Sequence, residues 1–210
     1  MVSAPPRVLI AIDTSAAWSR GILRGFARVA HEHGWIVLHY LPTADLAGLA
    51  SQWGLNAAVL GPSVSESWPF ADRRMVSVSV NFDRSSRGIA SVCLDEERIA
   101  HLALSHLLAR GCKSVTTFRF NAAPFAILRE KYFLEAAVRA EVRLQKGWWA
   151  SASTAAPSEE HPNAIRRWLS RLDKPCGIFS CCDVWGHMLA RYARAASLRV
   201  PESGAARRGQ

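Results

Sequence analysis

Short apolar runs alternate with amphipathic stretches along almost the whole of this chain, and that rhythm is the strongest constraint on its fold. "RVLIAID" (7–13), "WIVLHY" (35–40), "AAVLG" (57–61), "MVSVSVNF" (75–82), "IASVCLD" (89–95), "KSVTTFRF" (113–120) and "CGIFSC" (176–181) read as strands. They are too short and too apolar to be surface helices, and several are rich in β-branched residues. Between them lie helical patterns. "WSRGILRGFARVAHEHG" places Ile22, Phe26, Val29 and Ala30 on one face and stops at Gly34. "TADLAGLASQWG" opens on Thr43 as a cap. "EERIAHLALSHLLARG" turns Ile99, Leu102, Ala103 and Leu107 inward and stops at Gly111. "FAILREKYFLEAAVRAE" (125–141), "AIRRWLSRL" and "DVWGHMLARYARAASL" complete the set, after a polar loop at 153–163. Repeated strand–helix–strand units imply an α/β fold of parallel sheets covered by helices on both faces. A break near 82–90 divides the pattern into an N-terminal lobe at 7–85 and a C-terminal lobe at 90–198, with 199–210 as a disordered tail.

The remaining bounds are broad. A chain of 210 residues, half of them hydrophobic, can bury a real core. No apolar run approaches the roughly 18 residues of a membrane span, and the N-terminus lacks the core of a secretory signal, so a cytoplasmic protein without membrane contact is expected. Five cysteines without a C-x-x-C read as reduced, buried or half-buried thiols. The net charge is +9, but its arginines are scattered. No zinc finger, RNA-recognition signature or clear helix-turn-helix is present, so direct DNA contact by these residues is not expected.

Ligands of open parallel sheets bind beyond the carboxyl ends of the strands. Those positions hold Asp13, Thr14, Ser15, Trp18, Ser19 and Arg20 after the first strand, then Pro62, Ser63, Asn81, Asp83 and Asp95. Asn121, Phe125 and Arg129 follow at the sixth, and Cys182, Asp183 and Trp185 at the seventh. Carboxylates and arginines hydrogen-bond hydroxyls, and an indole stacks on the apolar face of a sugar ring, so the set suits a polyhydroxylated ligand. Asp95 and Asp183 also sit where helix N-caps belong, Trp18 where it could pack a helix entrance, and Arg129 where it could be ion-paired. Catalytic signatures are weak. There is no G-x-S-x-G, H-E-x-x-H or phosphate loop, and Cys182 and His187 are five apart, so they diverge on a helix. No catalytic residue, cofactor or metal site is expected, and His31, His33, His101 and His106 lack metal-ligand spacing. The alternative is a non-regulatory α/β protein of flavodoxin-like topology, an enzyme being one form of it.

Four stretches carry a resemblance. "WSRGILRGFARVAHEHGW", "SVCLDEERIAHLALSHLLARGCKSVTTF", "LREKYFLEAA" and "CGIFSCCDVWGHMLARYARAASLRVPE" resemble successive blocks of LacI/GalR-type effector-binding domains, which share the periplasmic-binding-protein-like type I fold. Within that superfamily, "WSRGILRG" and the lack of an N-terminal helix-turn-helix look most like the xylose-operon regulators, in which an AraC-type DNA-binding region follows the sugar domain. The resemblance covers about residues 7–202. It implies the sugar-sensing part of a transcriptional regulator, with the effector, xylose among the candidates, between two lobes. It further implies a homodimer in the intact regulator, and DNA contact only through a region absent from this chain. It implies binding roles for Trp18, Arg20, Asp95 and Arg129, and for the Asn-Asp pair that here is Cys182 and Asp183. Cys182 departs from the pattern, because a thiol donates and accepts weakly where an amide does both well.

After "VPE" the family continues with a buried "D-V-x-V-x-G-x-D" strand. Here the chain reads "SGAARRGQ". The sequence therefore looks C-terminally truncated, with an incomplete second lobe. A poorly soluble or partly folded product is the expectation that goes with this, since native stability is only about 5–15 kcal/mol.

Overall fold

A computed structural model describes residues 4–40, 45–65, 75–81, 89–120, 122–150 and 160–200. The chain divides into two units, Met1–Leu94 and Asp95–Gln210.

The first unit is built on five parallel strands: β1 (Arg7–Ala11), β2 (Ile36–Tyr40), β3 (Ala57–Leu60), β4 (Val76–Asn81) and β5 (Ala90–Cys93). Their order is β2-β1-β3-β4-β5. Registers such as Leu9 with Leu38 and Ala58, and Val59 with Val78, hold the sheet together. Helix α1 (Ala17–Glu32) connects β1 to β2, α2 (Leu46–Trp53) connects β2 to β3, and the short α3 (Pro62–Ser65) follows β3. The strict alternation of strand side chains between two covered faces explains why β1 is apolar from Val8 onward. Leu9 and Ala11 join Ala50, Ala58, Leu60, Val64 and Met75 on one face. Val8, Ile10 and Ile12 meet Ile22, Leu23, Phe26 and Trp35 on the other. Leu9, Ile10 and Leu60 are fully buried, and each such side chain contributes about 1.5–3 kcal/mol relative to exposure.

The second unit contains α4 (Glu96–Ala109), β6 (Ser114–Arg119), α5 (Pro124–Arg139), β7 (Arg143–Leu144), β8 (Trp148–Trp149), α6 (Glu160–Arg171), β9 (Cys176–Ser180) and α7 (Asp183–Ala195). Strand β6 is the centre, paired in parallel with β9 on one side and with β7 and β8 on the other. Val115 faces α4 and α5 with Ala100, Leu104, Phe133, Ala136 and Ala137. Phe118 and Phe120 face α6 and α7 with Ile165, Leu169, Leu172, Leu189 and Ala193. The β7–β8 edge carries one residue more than β6 between Val115–Leu144 and Phe118–Trp148, so it bulges. Gly147 lies in the bulge. A Cβ there would sit 2.6 Å from Thr117 Oγ1, so only glycine lets the edge approach β6 this closely.

Several expectations are corrected. The strand expected at 89–95, and with it the start of the lobe at 90–198, belongs to the first sheet: β5 pairs with β4 through Ser79–Ser91 and Val80–Val92. The division between units falls at Leu94–Asp95, not within 86–89. Leu102 is 63% exposed; Ala100 and Leu104 take the buried positions of α4 instead. Thr43 lies outside the described residues, and the cap of α2 is Asp45, which accepts from Gly48 N at 3.0 Å. Helix α6 begins at Glu160, inside the loop expected at 153–163, because Pro162 is tolerated in a first helical turn. Gly34 and Gly111 do stop their helices, with φ of 66° and 81°. Of the tail expected at 199–210, Val200 packs against the cluster of Phe118 and Leu189 and so belongs to the fold, while residues 201–210 are outside the described residues.

Candidate functional site

The expected ligand-binding residues fall into two clusters, one in each unit. In the first unit, β1 ends at Ala11 and the chain turns through Asp13 into α1. Asp13 shapes that turn: Oδ1 accepts from Ser15 N at 2.8 Å and Oδ2 from Ser15 Oγ at 3.1 Å. Arg20, one turn into the helix, reaches back so that Nη1 donates to the carbonyls of Thr14 (2.9 Å) and Ser15 (2.6 Å). Trp18 is half-buried beside them. The loop is therefore pre-shaped by its own polar residues. Arg20 Nε and Nη2 have no partner among the described residues, and they remain as donors.

In the second unit the cluster forms at the carboxyl ends of β6 and β9 and the openings of α4, α5 and α7. Asp95 caps α4, its Oδ1 accepting from Arg98 N at 2.9 Å. The next residue, Glu96, is 3% exposed and receives Arg129 as a two-point pair, Nε to Oε2 at 2.5 Å and Nη2 to Oε1 at 2.8 Å. Arg129 Nη1 also donates to the Cys181 carbonyl at 2.8 Å, which ties α5 to the end of β9. A guanidinium has five N–H groups, so two are left for a ligand. Donation to the Glu96 carboxylate holds the Arg129 pKa above its ordinary value, against the opposing effect of burial. Phe125 lies with its ring centre 5.4 Å from the Arg129 guanidinium and stacks on Trp185 at 6.0 Å. These contacts bring Asp95, Phe125 and Arg129 together with Cys181 and Trp185.

Asp183 is not the cap of α7. It is the first residue of the helix, and Cys182 occupies the cap position without a side-chain capping bond. The Asp183 carboxylate is exposed, has no hydrogen-bond or ion-pair partner among the described residues, and lies in the favourable field of the helix N-terminus. Burial pushes the Cys182 thiol up, offset in part by the backbone N–H groups of Trp185 and Val184. Burial pushes Cys181 up to about 12. Neither thiol is a ready nucleophile near neutral pH. Among the described residues no group of three or more His, Cys, Asp or Glu could hold a metal ion, and no helix is long and apolar enough to cross a membrane.

Two partners escaped the sequence reading. Glu96 reads as an ordinary acid in the first turn of a helix, yet it is the buried counter-ion of Arg129. Arg119 and Glu130 pair at 2.8 Å, with Thr117 Oγ1 donating to Glu130 at 2.6 Å. Consecutive residues Arg129 and Glu130 thus hold partners on different elements. The pairings join positions 33 and 11 residues apart, for which hydropathy patterning carries no signal. The side chains of Ser63 and Asn81, and residues Asp83 and Asn121, lie outside the described residues.

Residues 104–203 match the family model described as a periplasmic binding protein-like domain. No curated protein matches the chain in sequence. Solved structures do. A xylose-binding transcription activator superposes with a TM-score of 0.77 at 16% identity, over 96% of this chain and 53% of that one. A ribose operon repressor from Burkholderia thailandensis gives 0.70 at 19% identity, over 92% of this chain and 75% of that one. A periplasmic binding protein/LacI transcriptional regulator from Alkaliphilus metalliredigens, complexed with D-xylulofuranose, gives 0.68 at 13% identity, over 94% and 75%. The fold is periplasmic-binding-protein-like type I, and the chain spans about half the length of the xylose-binding activator.

Proposed function

We propose that this chain is the effector-sensing portion of a sugar-responsive transcriptional regulator rather than an enzyme. The observation that carries the reading is the second-unit cluster. The Phe125–Trp185 stack, the two spare N–H groups of Arg129 and the Asp183 carboxylate, without a partner among the described residues, supply an aromatic platform, donors and an acceptor at the carboxyl ends of parallel strands. A pentose or hexose needs all three. The loop holding Asp13, Trp18 and Arg20 supplies a like set in the first unit. The likeness to sugar-regulator structures supports the same assignment.

In this reading sugar binding favours one conformation of a homodimeric regulator, because a ligand shifts only an equilibrium whose states it binds differently. In this reading the intact regulator contacts DNA through an AraC-type region. The raised thiol pKa values argue against the alternative of an α/β enzyme acting through Cys181 or Cys182. Calorimetric titration with a panel of pentoses and hexoses, xylose first, is the test. Saturable heat with one sugar that disappears in Trp185→Ala supports the reading. Silence across the whole panel with folded protein overturns it.

A further inference from the structure

The basic residues that look scattered along the sequence converge in one place in the second unit. A groove of about 640 Å³ runs between the bulged edge formed by β7 and β8 and helix α6. Its walls carry Arg143, Lys146, Arg167 and Arg171 together with Trp149 and Trp168. Arg143 is paired with Asp173. The side-chain charges of Lys146, Arg167 and Arg171 have no acidic partner among the described residues. Arg167 and Arg171 are four apart on one helix and so stand one above the other, at the separation a single phosphate can bridge.

The walls are fixed from behind. Trp168 Nε1 donates to the Lys146 carbonyl at 2.8 Å, which clips α6 to the edge strand, and its ring stacks on the buried Phe118 at 5.9 Å. Gln145 donates to Ser114 Oγ and the Asp173 carbonyl, and accepts from Asp173 N. Trp149 remains 58% exposed at the rim. None of the residues of the second-unit sugar cluster lines this groove.

We propose that this groove is a second ligand site, separate from the sugar cluster, for a small phosphomonoester carrying a planar ring, of the nucleoside monophosphate class. Arg167, Arg171 and Lys146 take the phosphate, and the exposed indole of Trp149 takes the ring. The groove lies in the size range of small-molecule pockets, which favours one nucleotide over a polymer lying across the surface. The indoles report occupancy directly.

The test is a fluorescence titration of the full chain with adenosine monophosphate, adenosine, inorganic phosphate and a single-stranded oligonucleotide. Quenching by the monophosphate is expected, weakening as salt rises. Adenosine and inorganic phosphate are each expected to bind about tenfold or more weakly, because each supplies one half of the recognition. The double variant Arg167→Glu, Arg171→Glu changes only exposed positions, and it is expected to keep its thermal melt and sugar response while losing the monophosphate response. Absence of monophosphate binding, or binding that survives the double variant, overturns the proposal. So does a sugar response lost along with the monophosphate response. An oligonucleotide that binds where the monophosphate does not replaces it with a nucleic-acid surface.

Discussion

Arg129 and Glu96 form a two-point ion pair with the carboxylate 2% exposed and the guanidinium 15% exposed, joining the second turn of α5 to the first turn of α4. The pair turns a residue that the sequence offers to a ligand into a strut as well. Its removal therefore has a structural effect besides any effect on binding. Arg129→Met leaves a buried carboxylate without a counter-charge and is expected to destabilise the protein by about 3–5 kcal/mol, read by urea denaturation. The double variant Arg129→Met, Glu96→Gln removes both charges and is expected to recover a large part of that loss. If single and double variants are equally unstable, the pair is not what holds the two helices.

The loop after β1 gives the opposite expectation. Asp13 is exposed, and among the described residues its carboxylate bonds to Ser15 alone. Asp13→Ala is expected to cost about 1 kcal/mol or less in stability, as for other local turn hydrogen bonds. Under the sugar-sensing reading its affinity falls by about tenfold, because the loop loses its shape and the acceptor together. Calorimetry beside a thermal melt separates the two effects. A variant with unchanged affinity removes Asp13 from the site.

Cys181 predicts an alkaline limit. Its folded pKa is pushed up to about 12 from an ordinary 9.0. The unfolded chain therefore gives up this proton first as pH rises, and the folded state binds more protons between those values. The stability linked to this thiol is intact below about pH 9 and declines toward pH 12. Cys181→Ala is expected to flatten that decline relative to the unsubstituted protein in denaturation curves at pH 8 and pH 10.5. Parallel curves would mean that Cys181 does not set it.

Gly177 marks a close approach of β9 to α4. An added Cβ would meet Leu107 Cδ1 at 3.0 Å and Leu107 Cβ and Cδ2 at 3.1 Å. Gly177→Ala is expected to cost about 1–3 kcal/mol through overpacking. Truncating the obstacle in Gly177→Ala, Leu107→Ala is expected to be less than additive, a coupling that a double-mutant cycle measures.

Much of the fold was legible because its strands are buried on both faces. β1 and β3 are short, largely apolar and bounded by turns, β6 is marked by its β-branched Val115, Thr116 and Thr117, and helices carry stops such as Gly34 and Gly111. What patterning misplaced has identifiable causes. "LALSHLLA" in α4 is apolar nearly all round, so periodicity alone cannot choose between Leu102 and Leu104 for burial. The strand at 90–93 was assigned to the wrong lobe because parallel pairing with β4 is a long-range choice with no turn to announce it. The edge at 143–149 carries Arg, Gln, Lys and Gly and is split by a bulge, so no strand pattern survives in it. In the candidate site, strand ends located Asp13, Arg20, Asp95, Phe125, Arg129 and Asp183. They could not show that Glu96 would be the buried partner of Arg129, since only tertiary packing brings α4 against α5.

All five strands of the first sheet come from residues 7–93, and the unit they form ends at Leu94. During synthesis at about 5–20 residues per second, the 116 residues from 95 to 210 take about 6–23 s to follow. The residues of the first sheet thus leave the ribosome ahead of the second unit, with those seconds in which to begin pairing. Codon changes that slow translation just after Leu94 would lengthen that interval, whereas slowing upstream of Ala90 would leave the sheet waiting for β5.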